Sequence, residues 1–158
     1  MRLVIAAVGK PRDRHLAAAI DEYETRAARY WPLSEAEVRE ASGRGISAAD
    51  ARSREGERLL ERVPAGALVI VCDERGDRLT SPEFSKLLVS ARDAARDVSI
   101  VIGGAFGLPD QVRAVAQRTI QLAPWTLPHE LARLVLAEQL YRAGTIARGE
   151  PYHKGREP

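Results

Sequence analysis

Leu68-Val69-Ile70-Val71-Cys72 is an unbroken apolar run, and Leu3 to Val8 and Ser99 to Ile102 repeat the pattern. A strand with one wet face alternates polar and apolar positions. A strand covered on both faces has no polar position, which is how the strands of a helix-flanked parallel sheet read. Helical patterns separate the runs, at His15 to Tyr30, Ser47 to Arg62 and Pro82 to Ala95. Ser47-x-x-Asp50 resembles a capping box, and Ser81 is the expected N-cap of the third helix. A weaker strand is expected over Glu35 to Glu40 at a sheet edge, a helix from Pro109-Asp110, and a last strand over Thr119 to Leu122. Repeated βα order predicts an α/β fold with a mostly parallel sheet flanked by helices. At 158 residues, 45% of them hydrophobic, the chain suits a single domain spanning 1–158. Ala41 to Gly45 reads as a mobile loop.

The last strand feeds Leu122-Ala-Pro-Trp-Thr-Leu-Pro-His-Glu-Leu-Ala-Arg133 and then a helix from Pro128 to about Gly144. At 100° per residue, Leu131, Leu134, Val135, Ala137, Leu140 and Tyr141 fall nearly all the way round it, so it has no broad solvated face. One side is therefore expected on the domain and the other on a second subunit. Glu138 and Arg142, four apart, interrupt the apolar arc. They read either as an i,i+4 ion pair or as an arginine lent to an anionic substrate. His129 and Arg133 share another face at the positively polarised helix start, where a ligand can bind.

Composition excludes several classes. No stretch approaches the roughly 20 apolar residues of a membrane span, and Met1 to Ile5 lacks a signal peptide's cleavage region, so a cytoplasmic location is expected. One cysteine, Cys72, and three histidines offer no metal cluster, and no metal chemistry is expected. Net charge is only +2, with cations that are nearly all arginine. Arg54, Arg58 and Arg62 could follow a phosphate backbone, but Glu55, Glu57 and Glu61 lie beside them. A solvated face with internal ion pairs is the favoured reading.

Loops at the carboxyl ends of parallel strands are where α/β proteins bind ligands. Three such loops hold the chain's unusual residues: Cys72 to Gly76, Gly103-Gly104-Ala105-Phe106-Gly107-Leu108-Pro109, and Leu122 to Leu127. The glycine loop fits neither a dinucleotide fingerprint nor a P-loop, which would need a Gly-Lys-Ser/Thr end. Neither it nor the Leu122 stretch contains Lys or Arg, so the pocket suits a ligand without phosphates, such as S-adenosylmethionine.

Longer motifs complete the pattern: Ala7-Val8-Gly9-Lys10, Arg54-Glu55-Gly56-Glu57, Val101 to Leu108, Thr126 to Arg133, Glu138-Gln139-Leu140-Tyr141-Arg142-Ala143 and Pro151-Tyr152-His153-Lys154. In this order they closely resemble the RlmH (YbeA-like) family of the SPOUT superfamily, the pseudouridine N3-methyltransferases of large-subunit ribosomal RNA. The resemblance covers essentially the whole chain. It implies a C-terminal trefoil knot, a homodimer, S-adenosyl-L-methionine bound bent among the knot loops, and an active site close to the partner subunit. It implies further that the substrate is ribosomal RNA, within the assembled ribosome. By position, cofactor contacts fall on Cys72, Gly103, Leu122, Ala123, Pro124, Trp125, Thr126 and Leu127. The family usually has Leu at the position of Cys72, and Ser-x-Met/Leu-Thr where this chain has Ala123-Pro124-Trp125-Thr126. Residues Gly155 to Pro158 extend past the family's usual end.

Methyl transfer from a sulfonium to a ring nitrogen is an in-line displacement that needs alignment and removal of the N3 proton. His153, His129 and Arg142 are the catalytic candidates. Imidazole ordinarily titrates near neutrality, and a cation can stabilise the imide anion. Tyr152 is a candidate for stacking on the base or for a hydrophobic clip that holds the tail, Arg133 and Arg142 for contacts to RNA phosphate or to the partner chain, and Lys154 is a further substrate contact. Competing readings are a catalytically inactive knotted RNA- or ribosome-binding dimer, a nicotinamide-dependent Rossmann enzyme, and a protein-interaction dimer.

Overall fold

The computed structural model describes residues 1–153. Five parallel strands, β1 (Leu3–Val8), β2 (Leu33–Val38), β3 (Leu68–Asp77), β4 (Val98–Ile102) and β5 (Arg118–Ile120), form one sheet in the order β2-β1-β4-β3-β5. The helices are α1 (Arg14–Ala27), α2 (Ala48–Leu60), α3 (Ser81–Asp93), α4 (Asp110–Ala114) and α5 (His129–Ala147), followed by a 3₁₀ turn at Pro151–His153.

Period-two alternation sorts the strands into two cores. Leu3, Ile5, Leu68, Ile70, Val98 and Ile100 pack with α1, α3 and α5, through Ala27, Phe84, Leu88, Leu136 and Leu140. Ala6, Val8, Val69, Val71 and Val101 pack on the other face with Leu59 of α2 and Val112 of α4. The continuous apolar runs thus have the origin the sequence suggests, a sheet covered on both sides. Each fully buried Leu contributes about 2 kcal/mol of apolar burial. Trp31, 1% exposed, also donates its indole N–H to the Leu140 carbonyl at 2.9 Å, joining the end of α1 to the middle of α5.

Some sequence expectations shift. The edge strand β2 begins two residues earlier than expected, and β5 is shorter. The N-cap of α3 is Thr80, not Ser81: Thr80 and Glu83 form the reciprocal capping box, and Pro82 lies in the first turn. Ser47 does cap α2 by accepting the Asp50 N–H at 3.0 Å. The expected ion-pair face on α2 is absent among the described residues. Arg58 donates to the Arg39 carbonyl at 2.6 Å, and Glu55 is buried instead of lying beside the arginines.

The largest difference concerns Cys72 to Gly76, read as a loop. β3 continues to Asp77 and, after a register irregularity, pairs Asp77 with Ile120 of β5. Gly76 permits this, because a Cβ there would lie 2.4 Å from the Ile120 carbonyl carbon. Gln121 then ties the two segments: its N–H donates to the Asp77 carbonyl at 2.9 Å and its side chain to the Glu74 carbonyl at 2.8 Å.

Candidate active site

The crossover from β3 to β4 runs through α3 on one face of the sheet, and that from β4 to β5 through α4 on the other. Connections that leave adjacent parallel strands toward opposite faces part at the strands' carboxyl ends and open a crevice there. A cleft of about 750 Å³ lies at that point. Its walls include Cys72, Gly103, Leu122, Ala123, Trp125, Thr126, Leu127 and His129. The three stretches singled out in the sequence therefore do converge. Pro124 is exposed and not among the lining residues.

Electrostatically the cleft differs from the sequence expectation, because cations reach it from outside the two stretches that lack them. Arg113 of α4, Arg52 of α2 and Arg75 of β3 all line it. Arg113 is spent internally, with Nη2 2.8 Å and Nε 2.9 Å from Asp73 Oδ2, and Nη1 3.2 Å from Asp110. Desolvation is the largest single influence on the Asp73 carboxyl and raises its pKa. The Arg75 backbone N–H and the bonds and charge of Arg113 together outweigh it, and the net shift is downward. Asp73 is thus held ionised at the cleft wall. Glu74 accepts the Thr126 hydroxyl at 3.2 Å. Arg52 and Arg113 were not among the sequence candidates, because nothing in the sequence brings α2 or α4 to these loops.

Cys72 contributes shape rather than reactivity. Burial pushes its thiol up to about 12, so it is not a thiolate nucleophile at neutral pH. The glycine loop closes on itself through a Gly104–Gly107 bridge. Glu55 lies behind that loop, 4% exposed, its Oε1 accepting the Ala41 N–H at 2.9 Å and its Oε2 without a partner among the described residues.

His129 opens α5 at the cleft, and its buried Nε2 finds no hydrogen-bond partner among the described residues. Arg133, one turn on, is committed elsewhere. Its guanidinium is buried, with Nε and Nη2 2.7 and 3.0 Å from Glu24 and Nη1 2.6 Å from Glu37. Arg133 therefore joins α5 to α1 and β2, which corrects the expectation that its guanidinium reaches RNA phosphate or a partner chain.

The remaining candidates lie further along α5, away from the cleft of the same chain. Arg142 pairs with Glu138 at 2.6 Å, and this bond is the first cause holding its guanidinium above the ordinary value. Tyr152 folds back on this pair. Its hydroxyl donates to Glu138 at 3.1 Å, its ring lies 4.5 Å from that of Tyr141, and the Arg142 guanidinium is 5.0 Å from its centroid. Nδ1 of His153 is buried and without a partner among the described residues. At 1.5 Å per residue, Arg142 is roughly 20 Å along the helix from His129, and none of Arg142, Tyr152 and His153 lines the cleft. Lys154 lies outside the described residues.

One side of α5 is buried in the domain through Leu136, Leu140 and Ala143. Leu131, Leu134, Val135, Glu138 and Arg142 occupy the opposite side and are only half-buried. No helix among the described residues is long and apolar enough to cross a membrane, and none of their acidic, His or Cys side chains group as metal ligands.

A family described as "Predicted SPOUT methyltransferase" matches residues 1–153. A curated relative from Gemmatimonas aurantiaca, named ribosomal RNA large subunit methyltransferase H, is 56% identical over 154 residues, 98% of this chain and 100% of its own length. One of the same name from Geobacter metallireducens is 47% identical, covering 97% and 99%. Among solved structures, a probable methylase family protein from Haemophilus influenzae Rd KW20 superposes with a TM-score of 0.53 at 13% identity, over 99% of this chain and 72% of that one. A probable methyltransferase from Bordetella pertussis Tohama I gives 0.50 at 19% identity, over 90% and 95%. These two likenesses concern architecture alone. By its sequence over nearly its whole length, the chain belongs to the SPOUT methyltransferases, in the family of ribosomal RNA large subunit methyltransferase H.

Proposed function

We propose that this protein transfers a methyl group from S-adenosyl-L-methionine to N3 of a pseudouridine in large-subunit ribosomal RNA, as a cytoplasmic homodimer acting on the assembled ribosome. The observation that carries the reading is the cleft at the carboxyl ends of β3, β4 and β5, with His129 at its wall. Its volume suits a ligand of that size, Ile102, Leu108, Leu122 and Leu127 give it apolar walls, and Glu74 adds a carboxylate without an ion-pair partner among the described residues. The cofactor, once bound, supplies the electrophilic methyl. Membership of the SPOUT methyltransferases supports a threaded, knotted path for the segment after β5.

The half-exposed stripe of Leu131, Leu134 and Val135 supports pairing with a second copy. Arg142 is roughly 20 Å along α5 from His129, and neither it nor Tyr152 or His153 of the following 3₁₀ turn lines the cleft of its own chain, so a twofold-related tail is the means of bringing them to one. In that arrangement His129 and His153 are the candidates to hold the N3 proton. Arg142 steadies the imide anion, and Tyr152 grips the base. Because the relatives carry methyltransferase names, an inactive binding dimer is not the reading favoured here. Assembled ribosomes incubated with labelled methyl donor, followed by mapping of the product, test the proposal. Transfer to one pseudouridine is expected, and transfer elsewhere or none at all overturns it.

A further inference from the structure

Two large aromatic side chains face solvent at the cleft although both belong to its lining: Trp125, 72% exposed, and Phe106, 49% exposed. They come from different loops, after β5 and after β4. The unoccupied cations of the site lie in the same rim. Arg52 is exposed and makes no ion pair among the described residues. Arg75 is 76% exposed, with only a loose 3.8 Å approach to Asp73. Of the carboxylates beside them, Asp73 is paired with Arg113, while Glu74 is exposed and accepts only the Thr126 hydroxyl. Flat apolar rings interleaved with free guanidinium groups suit a ligand with π-faces and a repeating negative charge.

From this the geometry points to Trp125 as the stacking platform for an unpaired nucleobase of the RNA substrate, with Phe106 as a second lip and Arg52 and Arg75 on the flanking phosphates. The inference rests on the methyltransferase reading and adds a specificity-determining residue to it. A second copy that covered this rim in the dimer would hide Trp125 from solvent before any RNA is added, an outcome that quenching of the RNA-free protein separates. A cap over the cofactor uses the ring but leaves the guanidinium groups without a role.

The chain's other tryptophan, Trp31, is 1% exposed, so a small neutral quencher such as acrylamide reads Trp125 nearly alone. With S-adenosylmethionine bound, a short single-stranded RNA should shield Trp125 from acrylamide. The same oligonucleotide with abasic sites, which keeps every phosphate, should not. Trp125→Ala should raise the KM for ribosomes about tenfold, the scale of one lost base stack, by more than any change in the cofactor Kd measured on the same variant, and be largely rescued by Trp125→Phe. Shielding by cofactor alone, a Trp125 inaccessible to quencher in the RNA-free protein, or equal shielding by abasic RNA would each overturn the proposal. Base-dependent shielding without methyl transfer to any RNA would retain the subsite and reject the activity.

Discussion

Arg133 Nε lies 2.7 Å from Glu24 Oε1, and both side chains are more than nine-tenths buried. Burial is the largest influence on Glu24 and raises its carboxyl pKa, with the Arg133 bonds pulling the other way. Two carboxylates together hold the guanidinium charged despite its desolvation. Removing one partner leaves a buried charge uncompensated, which costs about 3–5 kcal/mol. Arg133→Met should therefore lower stability by that amount in urea unfolding, and Glu24→Leu added to it should restore part of the loss. A single variant within about 1 kcal/mol of wild type would contradict a structural role for the pair.

Acid stability gives a second test. Asp73 has its pKa depressed below the ordinary 3.8 in the folded chain. Between the two values the unfolded chain binds a proton that the folded chain refuses. The stabilisation is therefore complete above the unfolded value and is lost as pH falls through the folded one. Asp73→Asn should flatten that acid limb, and a stability profile of unchanged steepness would exclude the Asp73 carboxyl, held down by the Arg75 N–H and by Arg113, as its source.

The glycine loop has little room behind it. A Cβ on Gly104 would lie 2.7 Å from Glu55 Oε2 and 3.0 Å from Val8 Cγ1, and Glu55 is pinned by the Ala41 N–H. Gly104→Ala should weaken cofactor binding and cost about 1–3 kcal/mol of stability by overpacking. Glu55→Ala in the same chain should recover part of it, and strictly additive effects in the double-mutant cycle would show that the two positions do not touch.

Mixed dimers test whether the tail acts in the partner's cleft. A chain carrying His129→Asn has a damaged cleft and an intact tail, and a chain truncated after Gly149 has the reverse. Each homodimer should lose methylation by about 10²–10⁴-fold if these groups handle the proton, with cofactor binding retained. Co-assembled, they should regain one working site per dimer. Activity that stays absent in the heterodimer would place the tail at its own chain's site, and full activity in the truncated homodimer would remove it from catalysis.

At the far end of α5, Glu150 accepts a hydrogen bond from the Tyr30 hydroxyl, and this bond is the first cause of the Tyr30 pKa rising from 10.0 to about 12. The stabilisation is fully present below 10 and is lost as pH rises through 12. An ultraviolet titration should show a tyrosine ionising near 12 in wild type and lose it in Tyr30→Phe. Unaltered titration in that variant would assign the late proton to another tyrosine.

Sequence alone determined the sheet and the loops that matter, because burial on both faces leaves a compositional trace in each strand and strand ends are where glycine, proline and aromatic residues gather. It also determined that α5 has two apolar sides, since helical periodicity is a local property. Tertiary structure decided what those residues meet. Arg133 looked like a free cation at a helix start until α1 and β2 brought Glu24 and Glu37 against it. Arg52 and Arg113 became part of the cleft only because α2 and α4 pack behind the sheet. Cys72 to Gly76 proved to be strand because β5 passes close enough to pair with it. Charge pairing and close backbone approach depend on contacts between residues far apart along the chain, and no local pattern records them.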